Sequence, residues 1–312
     1  MPRDDCVTPP SLNAQEQVVG AGERVWRAQT RDGHVIELVD ATRPPERALR
    51  RVFGLSVLVG CPVKCTMCDA GGGYLGKLEA GELFEQLDFL VETTGGRDVP
   101  ELRVELTRMG EPAFNPEVLT FLRGLPGRYP WARVEALVSS VGPARCEAFF
   151  EELLEVKAAH FPSGGLTAQL SMHTTDEQVR RTVVPIKCWG FDAMAAWGER
   201  FARAGGPKVV LHFPVAQHLP IDASALAQRF SPEWFAVKLS PITPTEAASR
   251  AGLFTADALA LDALAQALTE RGFQVVRTET PAEQADACGR FFSAPPQLGT
   301  PRRTLRPHHE RD

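Results

Sequence analysis

The sequence lacks several features, and each absence excludes a class of protein. No apolar run approaches the roughly 20 residues that a membrane-spanning helix needs. The first twenty residues contain acidic residues and prolines but no apolar core segment, so they do not read as a secretory signal. Lysine and arginine total 34 against 39 aspartates and glutamates, and the net charge of −5 gives no global footprint for nucleic acid. These absences predict a cytoplasmic protein with no membrane partner.

Cysteine is also scarce, but its distribution is uneven. The 312-residue chain has seven cysteines, and three of them, Cys61, Cys65 and Cys68, lie within eight positions. In a reducing cytoplasm such a cluster is more typical of metal ligands or catalysts than of disulfides. A structural zinc site normally needs a second close pair of ligands, and the chain has no second CxxC. An iron–sulfur cube needs one ligand per iron, so three thiolates leave one iron open to a small molecule. The spacing favours a cluster with an open iron, and zinc is the alternative.

Short β-rich runs alternate with helical stretches from about residue 50 onward. In the stretch ELFEQLDFLVETT, for example, Leu83, Leu87, Leu90 and Val91 recur at helical spacing. Strands that alternate with helices imply a parallel sheet. Six or seven such units predict an α/β fold, a partial TIM barrel of the (β/α)6 type, with an open doubly wound sheet as the alternative. The β-rich runs are RVFGLSVLVG, LRVELTRMG, VEALVSSVG, LTAQLSMH, KVVLHFPV, FAVKLSPI and QVVRTET.

The flanking segments complete the predicted domain organisation. Residues 1–23 lack periodicity and are expected to form a flexible leader. Residues 24–48 are predicted to form a β-hairpin, because apolar and polar residues alternate on both sides of Asp32-Gly33. Residues 49–292 are assigned to the barrel and a C-terminal segment containing Ala287-Cys288-Gly289. Residues 293–312 are rich in Pro, Arg and His and predict a flexible tail. A zinc-stabilised module that binds nucleic acid through this tail is the non-enzymatic alternative.

Polar residues gather where the predicted strands end. Reactive groups of α/β barrels lie at the C-terminal ends of the strands, so these positions predict a site. The cysteine loop follows the first strand, and Gly110-Glu111 follow the second. The third strand closes on Ser139 and Ser140, and the fourth on Ser171 and His173.

Taken together, these residues resemble a known family. The CxxxCxxC loop resembles the signature of the radical S-adenosylmethionine (SAM) superfamily. Five further motifs match, in order and approximate spacing, the ribosomal RNA adenosine-C2 and C8 methyltransferases, which are class A radical SAM methyltransferases. The similarity spans roughly residues 24 to 292. The motifs are MGEPAFN (109–115), SSVG (139–142), LSMHTTDEQVRRTVVPI (170–186), LSPITPT (239–245) and ADACGRF (285–291).

The resemblance implies two cofactors and a set of residues that bind them. The three loop cysteines would hold a 4Fe–4S cluster whose open iron binds SAM, and reductive cleavage of SAM would yield a 5′-deoxyadenosyl radical. An external electron donor of the flavodoxin or ferredoxin type is implied as a partner. Gly110 and Glu111 would meet the methionine amino group, because a carboxylate pairs with an ammonium. The residues expected to line the rest of SAM are Ser139, Ser171, Met172 and His173.

The resemblance also implies a catalytic cysteine. By this resemblance Cys288 would accept a methyl group from one SAM, and a radical from a second SAM would then activate that methyl group for transfer to an unactivated carbon. Sulfur suits both steps, because a thiolate is nucleophilic and a thioether stabilises an adjacent radical. The acceptor would be an adenosine of RNA or a related substrate.

The chain departs from the family pattern at three places. Gly54 occupies the position of the cysteine that resolves the protein–RNA adduct, and Cys188 is the candidate substitute. Lys238 occupies the position of a SAM-contacting asparagine. The RNA methyltransferases have a substantial domain before the hairpin, and this chain has too few residues there to form it. The substrate, RNA or a small molecule, is therefore left undecided, and the alternative function is a diverged radical SAM enzyme that acts on a small metabolite or peptide without methyl transfer.

Overall fold

The computed structural model describes residues 12–19, 23–42 and 48–278 and shows a mixed α/β fold. Two short 3₁₀ helices, Gly96–Asp98 and Pro112–Phe114, complete the regular structure described below. The strands are β1 (Asn13–Val19), β2 (Glu23–Gln29), β3 (Val35–Asp40), β4 (Arg50–Gly54), β5 (Leu58–Cys61), β6 (Gly72–Lys77), β7 (Glu101–Leu106), β8 (Arg133–Ser140), β9 (Leu166–Ser171), β10 (Val209–Val215), β11 (Phe235–Pro241) and β12 (Gln274–Arg277). The helices are α1 (Ala80–Thr94), α2 (Glu117–Arg128), α3 (Glu147–His160), α4 (Glu177–Val183), α5 (Phe191–Arg203), α6 (Ala223–Arg229), α7 (Glu246–Arg250) and α8 (Ala258–Thr269).

The large sheet has the winding of a partial barrel. Its strand order is β1-β2-β3-β4-β7-β8-β9-β10-β11-β12, and every neighbouring pair from β4 to β12 is parallel. The parallel strands follow one another in sequence order, whereas a doubly wound sheet reverses its order at a switch point. The outer strands β1 and β12 do not pair with each other in the described part of the chain, so the barrel is not closed. The predicted partial α/β barrel is confirmed.

The predicted N-terminal hairpin is present and is extended by one more strand. β2 and β3 pair antiparallel around Asp32-Gly33, where Gly33 has a φ of 81°. β1 then adds to the outer edge of β2 within the segment predicted as a leader. Its sequence, NAQEQVV, has few apolar residues because an edge strand can be held by backbone hydrogen bonds alone. Residues 1–11 and 20–22 of the predicted leader and the whole predicted tail lie outside the described residues.

The first predicted strand, RVFGLSVLVG, is divided in the structure. β4 ends at Gly54 and belongs to the large sheet, whereas β5 pairs antiparallel with β6 in a separate two-stranded sheet. Between them the Leu55 amide donates to Glu105 O at 2.9 Å and the Val57 amide donates to Met109 O at 2.9 Å. The apolar run is continuous because both halves are buried. The cysteine loop therefore begins on the small sheet.

Helix α1 shows how the local sequence sets the elements that cover the sheet. Leu83, Leu87 and Leu90 are fully buried on one helix face, as their spacing predicts. The helix ends where Gly95 adopts a φ of 75° and donates its amide to Val91 O. In the described residues, no helix combines the length and apolar character needed to cross a bilayer.

Candidate active site

A cavity of about 450 Å³ lies at the C-terminal ends of the parallel strands. Most of the predicted site residues meet in it, although they come from four separate segments of the chain. The loop cysteines contribute one wall and the ends of β8 and β9 contribute another. The predicted residues that line it are Cys61, Cys65, Cys68, Gly110, Glu111, Ser139, Ser171 and His173.

Two predicted residues are not found in that lining. The side chain of Met172 is fully buried in the hydrophobic core, so in the described residues it supports the wall through its backbone and does not face the cavity. Cys288, the predicted catalytic residue, lies outside the described residues. The last described residue, Thr278, does line the cavity, ten positions before Cys288.

The cysteine loop is held in shape by tight turns and by contacts from distant elements. Gly60 has a φ of 72°, and a Cβ there would lie 2.3 Å from Gly73 O, so only glycine fits. Within the loop, the Cys68 amide donates to Cys65 O at 3.1 Å. From outside it, the Thr245 hydroxyl donates to Met67 O at 2.7 Å. The loop is therefore fixed both locally and from the end of β11.

Asp69, directly after the third cysteine, ties the loop to helix α7. Its carboxylate accepts the amides of Glu246 at 3.2 Å and Ala247 at 2.8 Å. A carboxylate at the first turn of a helix satisfies amides that have no partner inside the helix. Asp69 was not identified from the sequence, because its position after the cysteines gives no sign of the distant helix.

The three thiols are the candidate metal ligands of this cavity. All three are partly buried and line one cavity. Among the residues that the structure describes, no group of three or more His, Cys, Asp or Glu side chains is arranged to hold one metal ion. Zinc would draw its ligands around a single centre, whereas a cluster assigns each thiolate to a different iron. Three thiolates on one cavity are a donor set that an iron–sulfur cluster can use.

Glu111 places a buried carboxylate in the cavity. Its oxygens accept the Val141 amide at 2.9 Å and the Ala113 amide at 3.1 Å. Burial raises the pKa of Glu111 above its ordinary value, although these hydrogen bonds oppose the shift. The preceding Gly110 has a φ of 113°, and a Cβ there would lie 2.7 Å from Leu58 Cβ. A buried carboxylate of this kind is suited to bind a ligand ammonium.

His173 is a buried imidazole with unused hydrogen-bonding capacity. Its φ is 69°, an uncommon conformation for a residue other than glycine. Its Nδ1 has no hydrogen-bond partner among the described residues. Burial, and then the nearby Arg180 guanidinium, lower the pKa of His173 to about 3, so the ring is neutral at physiological pH. A neutral imidazole with an open nitrogen can bind a polar edge of a ligand.

Two serine hydroxyls form a polar wall between β8 and β9. The Oγ atoms of Ser139 and Ser171 lie 3.4 Å apart, and the Gln169 amide donates to Ser139 at 2.9 Å. Ser171 keeps donor and acceptor capacity for a ligand. These hydroxyls come from adjacent strands, as the strand-end prediction required.

Arg180 organises this wall and was not identified from the sequence. The guanidinium is almost fully buried and donates to three backbone carbonyls: Met172 O at 3.1 Å, Val141 O at 2.8 Å and Ser171 O at 2.8 Å. It thereby joins α4 to the ends of β8 and β9. In the sequence Arg180 stands beside exposed Arg181, and nothing local distinguishes the two.

Two of the residues that depart from the family pattern lie in the wall of the cavity. Gly54 and Lys238 both line the cavity. A Cβ at Gly54 would lie 3.1 Å from Arg108 Cδ, so the arginine stem fills the space beside the glycine. Cys188 lines a second cavity, of about 390 Å³, and within the described residues it is absent from the lining of the first.

Comparisons with known proteins agree with this architecture. No protein-family profile matches the chain. A probable dual-specificity RNA methyltransferase RlmN from Synechococcus sp. (strain RCC307) is 26% identical over 305 residues, 92% of this chain and 85% of the relative. A protein of the same name from Frankia alni is 30% identical over 290 residues, 86% of this chain and 64% of the relative. The crystal structure of a radical SAM methyltransferase from Sphaerobacter thermophilus superposes with a TM-score of 0.73 at 22% identity, covering 89% of this chain and 80% of that one, which shows the fold.

The fold and the cysteine-bearing cavity resemble those expected of the radical SAM enzymes. Within that class, the comparisons confirm the predicted resemblance to the methyltransferases and the predicted type of enzyme.

Proposed function

We propose that this protein uses a 4Fe–4S cluster, held by Cys61, Cys65 and Cys68, to cleave SAM reductively and to methylate an unactivated carbon. The observation that carries the proposal is the convergence in one cavity of three thiols with a buried carboxylate, two hydroxyls and a neutral imidazole. Three thiolates suit an iron–sulfur cluster with one open iron. The carboxylate, hydroxyls and imidazole suit the ammonium, carboxylate and ribose hydroxyls of SAM.

The chain's own residues would divide the binding of SAM among them. When bound, the cluster supplies the electron that generates a 5′-deoxyadenosyl radical from SAM. Glu111 would bind the methionine ammonium, and its two backbone amide donors hold the carboxylate in place for that contact. Ser139, Ser171 and His173 would bind the ribose and carboxylate edges. Met172, buried behind the wall, would position Ser171 and His173 through the backbone.

Cys288 is proposed as the methyl carrier on the basis of its sequence motif. Its thiolate would take the methyl group from one SAM, which leaves as S-adenosylhomocysteine, and the resulting thioether would be the source of the new carbon. The described chain stops at the cavity, at Thr278, ten residues short of Cys288. The names of the relatives suggest RNA as the acceptor. The motifs of the sequence suggest an adenosine within that RNA and a flavodoxin or ferredoxin as electron donor.

Gly54 favours a second candidate, a radical SAM enzyme that acts on a small metabolite or peptide without methyl transfer. Gly54 lines the cavity where the family pattern has a cysteine that resolves the RNA adduct, and the Arg108 stem lies against it. In this case Cys288 would be a hydrogen donor or a pocket residue.

Anaerobic reconstitution with methyl-labelled SAM tests these proposals. We expect about four irons with labile sulfide per chain, label on Cys288, and 5′-deoxyadenosine under a strong reductant. Cys65→Ala should lose the iron, whereas Cys146→Ala, outside the cavity lining in the described residues, should retain it. 5′-Deoxyadenosine formed while Cys288 stays unlabelled would favour the second candidate. A colourless protein that binds one zinc and leaves SAM intact would refute both.

A further inference from the structure

Lys238 places a positive charge inside the cavity. It lies in β11, between the parallel neighbours β10 and β12, and it is in register with His212. Its side chain lines the cavity, and its residue is largely, though not fully, shielded from solvent. A lysine in the middle of a buried strand is unusual, because its ammonium loses hydration unless a partner replaces the water.

Neither carboxylate in the described lining of the cavity forms an ion pair with Lys238. Glu105 accepts from Arg103 at 2.8 Å, and Glu111 accepts two backbone amides. The other lining cation, Arg108, faces Glu37 at 3.3 Å. Across the described residues, Lys238 has neither an ion-pair partner nor a side-chain hydrogen bond.

Four uncharged polar residues lie in the same described lining as Lys238: His212, Ser240, Gln169 and Thr278. The His212 ring nitrogen Nε2 lies 2.8 Å from Ser240 Oγ. Burial first, and then the charge of Lys238, hold the pKa of His212 well below its usual range, so the ring is neutral. Gln169 and Thr278 add polar, uncharged lining. These four lining residues can donate or accept hydrogen bonds, but they do not balance the charge of the Lys238 ammonium.

We propose that Lys238 is the binding residue for an oxyanion, a carboxylate or a phosphate, of a molecule bound in this cavity. The inference rests on the proposed function only in taking the cavity as the active site. The oxyanion has two possible sources: the methionine carboxylate of SAM, or a phosphate of a nucleotide acceptor. Either would restore to the ammonium the partner that the described protein does not provide, and a charge-assisted hydrogen bond would fix the orientation of the ligand.

Calorimetric titration of the anaerobically reconstituted protein can identify the source. The probes are SAM, decarboxylated SAM, adenosine 5′-monophosphate and adenosine. The variants are Lys238→Gln and Lys238→Arg, with Lys187→Gln as the matched control, because Lys187 is exposed and lies outside this cavity's described lining. We expect K238Q to weaken one oxyanion-bearing probe about tenfold or more, the usual effect of removing a hydrogen bond to a charged group, and to leave its neutral counterpart unchanged.

The pattern of losses decides between the sources and tests the inference. A loss for SAM but not for decarboxylated SAM assigns the methionine carboxylate, and a loss for the monophosphate but not for adenosine assigns an acceptor phosphate. Recovery of most of the affinity in K238R, and wild-type affinity in K187Q, would support a role of charge. The inference would be overturned if wild type and K238Q bound each probe with equal affinity, or if neither protein bound any probe. It would also be overturned if K238Q lost the same affinity for all four probes.

Release of 5′-deoxyadenosine by the wild-type protein reports the proposed function separately. A wild type that binds the monophosphate through Lys238 but never cleaves SAM would keep this inference and reject the proposed function. A wild type that cleaves SAM, with K238Q indistinguishable from it in binding all four probes, would reject the inference alone.

Discussion

Arg180 should contribute more to stability than any neighbouring surface charge. Replacing it with alanine removes three hydrogen bonds to the carbonyls of Val141, Ser171 and Met172, which lie at the ends of two strands. Each hydrogen bond from a charged donor contributes about 1.5–3 kcal/mol, but the contributions are not independent because one side chain makes all three. Each buried carbonyl left without a donor costs about 1–3 kcal/mol, so three partly relaxed carbonyls together cost about 3–5 kcal/mol. We expect Arg180→Ala to fall in that range.

Urea unfolding followed by tryptophan fluorescence measures the effect. A loss of about 3–5 kcal/mol corresponds to a fall in Tm of roughly 6–20 °C, at 2–4 °C per kcal/mol for a large domain. Arg180→Lys should retain part of the stability, because an ammonium can reach fewer of the carbonyls. The same substitutions should weaken SAM binding, since Ser171 and Met172 carry two of the three carbonyls.

Arg181→Ala is the matched control for this prediction. Arg181 is the next residue in α4 and is exposed, so its substitution should change stability by no more than about 0.5 kcal/mol. If the two alanine variants had equal unfolding free energies, the guanidinium would not be holding the strand ends together, and the account of the wall between β8 and β9 would be wrong.

The two buried histidines and the cysteine-loop glycine lead to two further predictions. The pKa of His173 is lowered to about 3 and that of His212 is also lowered, so the stability that the two neutral rings contribute is present above the ordinary pKa of 6.5 and is lost as pH falls below it, by about 1.4 kcal/mol per pH unit for each ring. The urea midpoint of His173→Asn should therefore fall less steeply between pH 7 and pH 5 than that of the wild type. An equal dependence of the midpoint on pH in both proteins would contradict the assignment. Gly60→Ala should destabilise the protein by about 1–3 kcal/mol and reduce its iron content, because its Cβ would lie 2.3 Å from Gly73 O. Gly76→Ala, where a Cβ meets nothing within 4 Å, is the control, and equal iron content and stability in the two variants would show that the turn is not strained.

The elements that could be predicted are those whose signal is local. The alternation of β-rich runs and helical spacing identified the parallel strands, the Asp32-Gly33 turn identified the hairpin, and the leucines of α1 lie on its buried face as expected. The strand-end positions of Ser139 and Ser171 followed from the same pattern, because parallel strands bring their C-terminal ends to one side of the sheet. The remaining site residues came from the motifs in order along the chain.

The residues that were missed depend on partners far away in sequence. β1 is polar and becomes a strand only because the edge of β2 accepts it, and the first predicted strand divides because its two halves pair with different sheets. Arg180 lies on the side of α4 that contacts the strand ends, whereas Arg181, the next residue, is exposed to solvent.

The sequence by itself determined the order of strands and helices and the chemistry of the cysteine loop, because periodicity and ligand spacing are properties of neighbouring residues. Tertiary structure alone decided which polar groups became buried and which of those kept a partner. The neutral His173 and the raised pKa of Glu111 both result chiefly from desolvation, which depends on the whole fold around a residue.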